Sequence, residues 1–320
     1  MRWVCGLALV GHLALAGVAA AEPVNLKVQR LDDSRIDAFV DRSDGAEKVG
    51  LVLMLQGSLC ESVSPATDNR FPLTLPPGTV RLDIEKYGIT PETQDETGEH
   101  CPADYLAHNT IDGRVMDVLT VIADLRANAP WWNGELYVSG VSEGATVAAI
   151  VAALIPETRG AILINGSVGR PFSDGWAEAV VESARADGGD AAAQDEARRG
   201  VADAWSRARA TPTTETYEGA GNTLRWWASI IDLRPVNLLV NVEAPILLIQ
   251  SERDQMTPVA SARAVVDRFR AAGRTNLTYR ELEGLDHGFR DAAGEPRYGP
   301  VLDLINGALA DQVRAAPLSR

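Results

Sequence analysis

Short apolar runs alternate along most of the chain with segments whose apolar residues recur every three or four positions. Continuous apolar runs at 48–55 and 161–165 predict strands that are buried on both faces. Apolar side chains at helical spacing between 111 and 128 predict an amphipathic helix. This alternation is typical of the α/β class, with a mainly parallel central sheet flanked by helices.

The other predicted elements follow from the same two patterns. Strands are predicted at 24–31, 35–40, 79–85, 135–140, 245–250 and 277–282, and helices at 144–154, 258–271 and 301–313. Between 171 and 242 the rhythm stops, and a helical segment rich in Ala, Arg and acidic residues contains four tryptophans. Because it lies between two strands of the sheet, we expect it to project as a helical lid insertion, with a joint near 188–193.

The first 21 residues have the organisation of an export signal. Arg2 gives a positive start, an apolar run covers 4–18, and small residues at Ala19 and Ala21 predict cleavage after Ala21. An uncleaved membrane anchor is the alternative, although the run is shorter than the roughly 20 residues that a spanning helix needs. We expect an exported protein, periplasmic or secreted, without membrane insertion after cleavage, whose α/β domain covers 22–320.

The balance of charge bears on possible partners. The formal net charge is −14, and it becomes −15 when Arg2 leaves with the signal, which carries no acidic residue. An acidic excess of this size argues against nucleic acid and against an anionic membrane surface as partners.

Cleavage would also remove Cys5 and leave Cys60 and Cys101. An even pair of cysteines in an oxidising compartment predicts a disulfide, with two unrelated buried thiols as the alternative. Neither cysteine has a further ligand at the spacing of a zinc site, so no metal is predicted.

A serine nucleophile is indicated by the sequence Gly-Val-Ser-Glu-Gly at 140–144. The pattern G-x-S-x-G describes a tight turn from strand to helix, and Gly140 and Gly144 stand where side chains would not fit. A predicted strand ends directly before Ser142 and a predicted helix of small residues begins directly after it. That context, more than the five letters, makes Ser142 the candidate nucleophile.

A serine nucleophile needs a base, and a carboxylate must orient that base. His287 follows the last predicted strand and is the candidate base, whereas His100 and His108 precede the serine. Asp254 is the candidate acid, because it follows the strand 245–250 and precedes a helix. Glu252 and Asp286 are the alternative acids.

The developing oxyanion needs backbone N–H donors. One is expected from Glu143, the residue after the nucleophile. The second is expected from the loop after the strand 48–55, where Gly57 allows a sharp turn and the donor is the N–H of either Ser58 or Leu59.

Taken in order, the QGS loop, the GVSEG turn, the helical insertion, the PILLIQSERD run and the DHGF loop resemble the α/β-hydrolase superfamily. The similarity is greatest to the bacterial branch near prolyl oligopeptidase and dienelactone hydrolase, although the loop reads Gln-Gly where His-Gly is more usual. The resemblance implies that Ser142, Asp254 and His287 form a catalytic triad. It also implies hydrolysis of a small acyl substrate (an ester, thioester or amide) without metal or cofactor.

Two further classes of function stay open at this point. A small exported peptidase or aminoacyl hydrolase would share the triad but would need a pocket that reads a charged end of its substrate. A non-catalytic binding protein on a hydrolase fold would normally lack a member of the triad, and all three are present here.

Overall fold

The structure is a computed structural model that describes residues 23–42, 47–67, 69–93, 100–216 and 222–315. The predicted export signal at 1–21 lies outside the described residues. None of the helices in the described ranges is long and apolar enough to cross a membrane.

The described strands form one eight-stranded sheet in the order β1-β2-β4-β3-β5-β6-β7-β8. Their bounds are β1 (Val24–Gln29), β2 (Arg35–Val40), β3 (Val49–Leu55), β4 (Thr79–Ile84), β5 (Trp132–Val141), β6 (Thr158–Ile164), β7 (Ile246–Ser251) and β8 (Leu277–Leu282). β2 pairs antiparallel with β1 and β4, and every pair from β4 across to β8 is parallel. The prediction of a mainly parallel sheet is confirmed.

Four helices flank the sheet in the described part of the chain, and a fifth, short helix precedes them. They are α1 (Ala103–His108), α2 (Ile111–Asn128), α3 (Glu143–Leu154), α8 (Val259–Ala271) and α9 (Tyr298–Ala315). α2 has both of its predicted bounds, and the side chain of Thr110 caps it by accepting a hydrogen bond from the Gly113 N–H. α1 was not predicted, because six residues are too few to show a helical period.

Successive residues of the central strands belong to opposite cores, as the two-residue period of a strand requires. In β3, Leu51 and Leu53 pack in the core that includes α2 and α3, whereas Val52 packs in the core that includes α9. Six of the seven β3 residues are buried for this reason. Helices on both faces therefore explain the continuous apolar run of 48–55.

The segment between β6 and β7 contains four helices among its described residues. They are α4 (Phe172–Ala186), α5 (Ala191–Ala210), α6 (Leu224–Ile230) and α7 (Val236–Leu239). Asp190, inside the predicted joint, caps α5 by accepting a hydrogen bond from the Ala193 N–H at 3.0 Å. The helical content matches the expectation for 171–242, and its action as a lid stays a prediction.

β5 differs from its predicted bounds by starting three residues earlier. Trp132 pairs with Val49, and the register then shifts before Leu51 pairs with Leu136. Gly134 takes φ +86° in this irregular stretch, which breaks the two-residue period. The early part of the strand is therefore hidden from a pattern-based prediction.

Candidate active site

Ser142 lies in the sharp turn between β5 and α3. Its backbone has φ 57° and ψ −121°, a conformation that residues with a Cβ seldom adopt. A Cβ on Gly140 would lie 2.2 Å from the carbonyl oxygen of Gly144, and a Cβ on Gly144 would lie 2.1 Å from that of Leu55. Both glycines are therefore sterically required, and the turn places the Ser142 hydroxyl at the N-terminus of α3.

His287 lies in the loop between β8 and α9, and its Nε2 is 3.1 Å from the Oγ of Ser142. The loop is attached to the sheet by Asn165, whose Nδ2 donates to the His287 carbonyl oxygen at 3.0 Å. Asn165 directly follows β6 with φ 48°, which asparagine tolerates better than most residues. It is not among the predicted site residues, and its signal is a polar residue directly after an apolar strand.

Asp254 contacts the other nitrogen of the imidazole, with its Oδ2 2.8 Å from Nδ1 of His287. The buried carboxylate also accepts hydrogen bonds from the side chains of Gln250 and Thr257, at 2.9 and 2.7 Å. The backbone N–H groups of Met256 and Thr257 donate to its Oδ1 at 2.9 and 2.8 Å. These contacts fix the carboxylate toward Nδ1, as is needed to hold the imidazole in one tautomer.

The two alternative carboxylates accept hydrogen bonds from backbone N–H groups. Glu252 accepts a hydrogen bond from the N–H of Gly284 at 2.8 Å. Asp286 accepts from the N–H groups of Gly288 and Arg290 at 3.0 and 2.8 Å. The structure thus brings Asp254, and neither alternative, to the ring of His287.

The two other candidate histidines are exposed. The ring of His108 stacks on that of Tyr87 at 4.0 Å, and its Nδ1 is 2.9 Å from the carbonyl oxygen of Asp104. The histidine brought to Ser142 is His287.

Glu143 begins α3, so its N–H belongs to the first turn of that helix, where intrahelical acceptors are absent. Its buried side chain forms an ion pair with Arg114 and accepts a hydrogen bond from Trp226 Nε1 at 2.6 Å. The same guanidinium donates to the carbonyl oxygen of Gln56 at 3.1 Å. Arg114 therefore links the turn that carries Ser142 to the loop expected to supply the second oxyanion donor.

Of the two candidates for that second donor, the structure brings Ser58 to the site. Ser58 and Ser142 line the same cavity, whereas Leu59 is 41% exposed and does not line it. A Cβ built on Gly57 would lie 3.5 Å from the Cβ of Ser142, so the loop backbone passes close to the candidate nucleophile.

The cavity beside Ser142 has about 450 Å³ of empty space, including its open mouth. Its apolar wall comes mainly from the segment between β6 and β7, and it consists of Phe172, Trp176, Trp226, Trp227, Ile230 and Met256. The rings pack against one another, with the Trp176 and Trp227 centroids 5.4 Å apart and those of Trp226 and Trp227 4.6 Å apart. The walls are thus built from mutually supporting aromatic side chains.

The predicted disulfide between Cys60 and Cys101 is present, with the two Cα atoms 5.6 Å apart. Cys60 is fully buried and packs with Ile89 and Tyr105. The bridge joins the end of the Ser58 loop to the residues just before α1. Among the described residues, no three His, Cys, Asp or Glu side chains are grouped as metal ligands would be.

No protein-family model matches the chain. A segment of 74 residues, 23% of the chain, is 38% identical to esterase LipC of Mycobacterium tuberculosis and spans 18% of that protein. A solved acylaminoacyl peptidase of Pyrococcus horikoshii matches 98% of the chain with TM-score 0.62 and 13% identity, and the chain spans 45% of its length. Esterase Pf2001 of Pyrococcus furiosus matches 92% of the chain and 91% of its own length, with TM-score 0.56 and 12% identity. These likenesses, together with the sheet order, show that the chain has the α/β-hydrolase fold.

Proposed function

We propose that the protein is a serine hydrolase that cleaves carboxylic esters with apolar acyl groups through an acyl-serine intermediate. The observation that carries the proposal is the chain of contacts from Ser142 Oγ to His287 Nε2, at 3.1 Å, and from His287 Nδ1 to Asp254 Oδ2, at 2.8 Å. Nucleophile, base and orienting acid in hydrogen-bond reach of one another are what acyl transfer requires.

In the proposed reaction, Ser142 Oγ attacks the ester carbonyl carbon while His287 Nε2 takes the hydroxyl proton. Asp254 holds the imidazolium, and the N–H groups of Glu143 and Ser58 stabilise the oxyanion. As the tetrahedral intermediate collapses, His287 returns the proton to the departing alcohol and Ser142 keeps the acyl group. A water molecule then attacks the acyl-serine with His287 again as base, which releases the carboxylic acid and restores the Ser142 hydroxyl.

The lining of the cavity supports an uncharged substrate. Glu143 is the single charged side chain among the described residues that line it, and both of its carboxylate oxygens are engaged by Arg114 and Trp226. Six apolar and six uncharged polar residues form the remaining wall. An apolar acyl group would replace water against the apolar side chains, whereas a charged group would lose hydration without gaining an oppositely charged partner.

An exported peptidase or aminoacyl hydrolase is the second candidate, because the likeness to the Pyrococcus horikoshii acylaminoacyl peptidase covers 98% of the chain. Recognition of a free, charged peptide terminus would need an unpaired charge in the cavity. Because both carboxylate oxygens of Glu143 are engaged, the cavity favours the ester over a peptide with a charged terminus.

Export belongs to the same proposal. A disulfide that is buried at Cys60 is typical of proteins in an oxidising compartment. The first 21 residues also have the pattern of a cleaved signal. Protein recovered from the exported fraction should begin at Glu22. Integral membrane protein that still begins at Met1 would contradict export with cleavage.

The catalytic proposal is tested on the chain from residue 22 with a fluorophosphonate probe and a panel of p-nitrophenyl esters of increasing acyl length. Wild-type protein should be labelled and should hydrolyse the esters faster than matched fluorogenic peptides. Ser142→Ala should lose the label and at least about 1,000-fold in kcat. A folded wild-type protein that neither takes the label nor hydrolyses esters or peptides would leave the binding-protein hypothesis.

Ser139→Ala is the matched control for this test. Ser139 is a buried serine of β5, the strand that ends directly before Ser142, and its Oγ has no hydrogen-bond partner among the described residues. The control variant should keep both the label and the activity. If Ser142→Ala were labelled as well as Ser139→Ala, Ser142 would not be the nucleophile.

A further inference from the structure

Lys86 is a buried lysine whose Nζ donates two hydrogen bonds to the loop beside Ser142. The residue follows β4 by two positions and is 3% exposed. Its Nζ donates to the carbonyl oxygen of Gly57 at 2.5 Å and to that of Leu59 at 2.6 Å. The ring of Tyr105 lies 5.6 Å from the same nitrogen. One cation thus holds two carbonyl groups that are separated by a single residue.

The carbonyl group between those two is held from a different element. The hydroxyl of Tyr105, in α1, donates to the carbonyl oxygen of Ser58 at 2.6 Å. Burial raises the pKa of this phenol, so it keeps the proton that it donates. Arg114 donates to the carbonyl oxygen of Gln56. Every carbonyl group from 56 to 59 therefore accepts a hydrogen bond from a side chain outside the loop.

These contacts determine where the N–H groups of the loop point. In a trans peptide the C=O and the N–H lie on opposite sides of the chain. Because Lys86 holds the Gly57 carbonyl on one side, the N–H of the same peptide group, which belongs to Ser58, points to the other side. Ser58 lines the cavity with Ser142, and a Cβ built on Gly57 would lie within van der Waals contact of the serine.

We propose, granting the hydrolase function, that Lys86 and Tyr105 are positioning residues of the oxyanion hole. By holding three successive carbonyl groups, they fix the Ser58 N–H toward the oxygen of the substrate carbonyl. Neither side chain touches the substrate. They act through the loop, and the Nζ of Lys86 holds the loop at both Gly57 and Leu59.

The energetic argument rests on how sharply an oxyanion hole depends on geometry. Loss of one donor typically costs about 100- to 1,000-fold in kcat, because the donor must already be in place when the charge develops. A loop whose carbonyl groups lose their donors can turn its peptide groups toward water. The ground-state ester depends little on the Ser58 N–H, so a loosened loop should lower kcat while KM is kept.

Tyr105→Phe is the first test, because it removes one hydroxyl and keeps the ring. We expect kcat for a p-nitrophenyl ester to fall about 10-fold with KM unchanged. The affinity of a trifluoromethyl ketone, which adds to Ser142 and places an oxyanion in the hole, should fall by the same factor as kcat/KM. Lys86→Met removes the donors to both Gly57 and Leu59, so its losses should be larger, about 100-fold.

Tyr137→Phe is the matched control. Tyr137 is a buried tyrosine of β5 in the core that includes α9, and its hydroxyl has no hydrogen-bond partner among the described residues. This variant should keep wild-type kcat and ketone affinity. Melting temperatures of all three variants show whether any loss of activity follows from unfolding, and Tyr105→Phe decides the question if Lys86→Met does not fold.

Folded Tyr105→Phe with wild-type kcat and ketone affinity would overturn the positioning role while ester hydrolysis by the wild type stands. An increase in KM with unchanged kcat would overturn it too, because the contacts would then serve substrate binding. Wild-type protein that hydrolyses no ester would instead reject the proposed function, and the positioning role would fall with it. The two failures are distinguished by the wild-type measurement.

Discussion

The acid–base side of the site and the oxyanion side are built in opposite ways. Asp254 takes its supporting hydrogen bonds from Gln250, Met256 and Thr257, all within four positions along the chain. The carbonyl groups of the loop 56–59 take theirs from Lys86, Tyr105 and Arg114, at separations of 27 to 58 positions. The acid is thus held by its own turn, whereas the oxyanion loop depends on the packing of α1, α2 and the end of β4.

The first test of this contrast removes the charge of Asp254 and leaves the tertiary contacts of the oxyanion loop unchanged. Asp254→Asn should lower kcat about 1,000- to 10,000-fold, because the amide NH2 cannot accept the hydrogen bonds that both carboxylate oxygens now accept, and the imidazole loses its charged partner. The measurement is steady-state ester hydrolysis alongside the melting temperature.

Asp286→Asn is the matched control for that variant. Only Oδ1 of Asp286 accepts the bonds from Gly288 and Arg290, and an amide oxygen can accept them equally. Activity should stay within about twofold of wild type, since no triad contact changes. A larger loss in Asp286→Asn than in Asp254→Asn would mean that the acid has been assigned to the wrong residue.

The same contrast explains which features could be predicted from the sequence. The contacts of Ser142, Asp254 and His287 follow from features that are local in the chain: a glycine-flanked serine after β5, an aspartate after β7, and a histidine after β8. α2 is predicted with both bounds because its helical period is long and regular.

Lys86 was not among the predicted site residues, and the choice between Ser58 and Leu59 stayed open, for one physical reason. Both depend on where β4 and α1 pack against the loop, and no pattern of neighbouring residues records that packing. A lysine directly after a buried strand is ordinarily a solvent-exposed residue. Its burial is visible only when the fold brings Gly57 and Leu59 to it.

The second way to test the contrast is to remove the bridge between Cys60 and Cys101. The double variant Cys60→Ala/Cys101→Ala should lose up to about 4 kcal/mol of unfolding free energy. The bridge joins residues 41 positions apart, and a closed loop of that length restricts the unfolded chain. It should also lower kcat several-fold, because the bridge ends one residue beyond the oxyanion loop. Denaturant titration and ester kinetics on one preparation measure both effects.

Reduction of the disulfide in the wild type should lower both the unfolding free energy and kcat, as in the double variant. Two thiols that react in the folded, oxidised protein would show that no bridge forms. A lower stability with unchanged kcat would retain the bridge as a structural feature and separate it from the oxyanion loop.

The smallest expected effect concerns the charge of Lys86. Burial lowers the pKa of its ammonium to about 7, with a further lowering from Arg114, while Glu143, Glu61 and Glu85 act in the opposite direction. The unfolded chain keeps an ordinary lysine pKa near 10.4. Between these two values the unfolded state binds more protons than the folded state, so this lysine makes stability rise with pH over that window. Below pH 7 both states hold the proton and the contribution is constant.

The measurement is the difference in unfolding free energy between wild type and Lys86→Met at several pH values, since groups other than Lys86 largely cancel in that difference. It should grow from pH 7 to pH 9 with a slope on the order of 1 kcal/mol per pH unit or less. A difference that stays flat would mean that Lys86 keeps an ordinary pKa in the folded protein. Turnover of the wild type should hold over the same range, because a neutral amine still has two N–H bonds, enough for the carbonyl groups of Gly57 and Leu59. Turnover that fell as stability rose would show instead that the loop needs the charge itself.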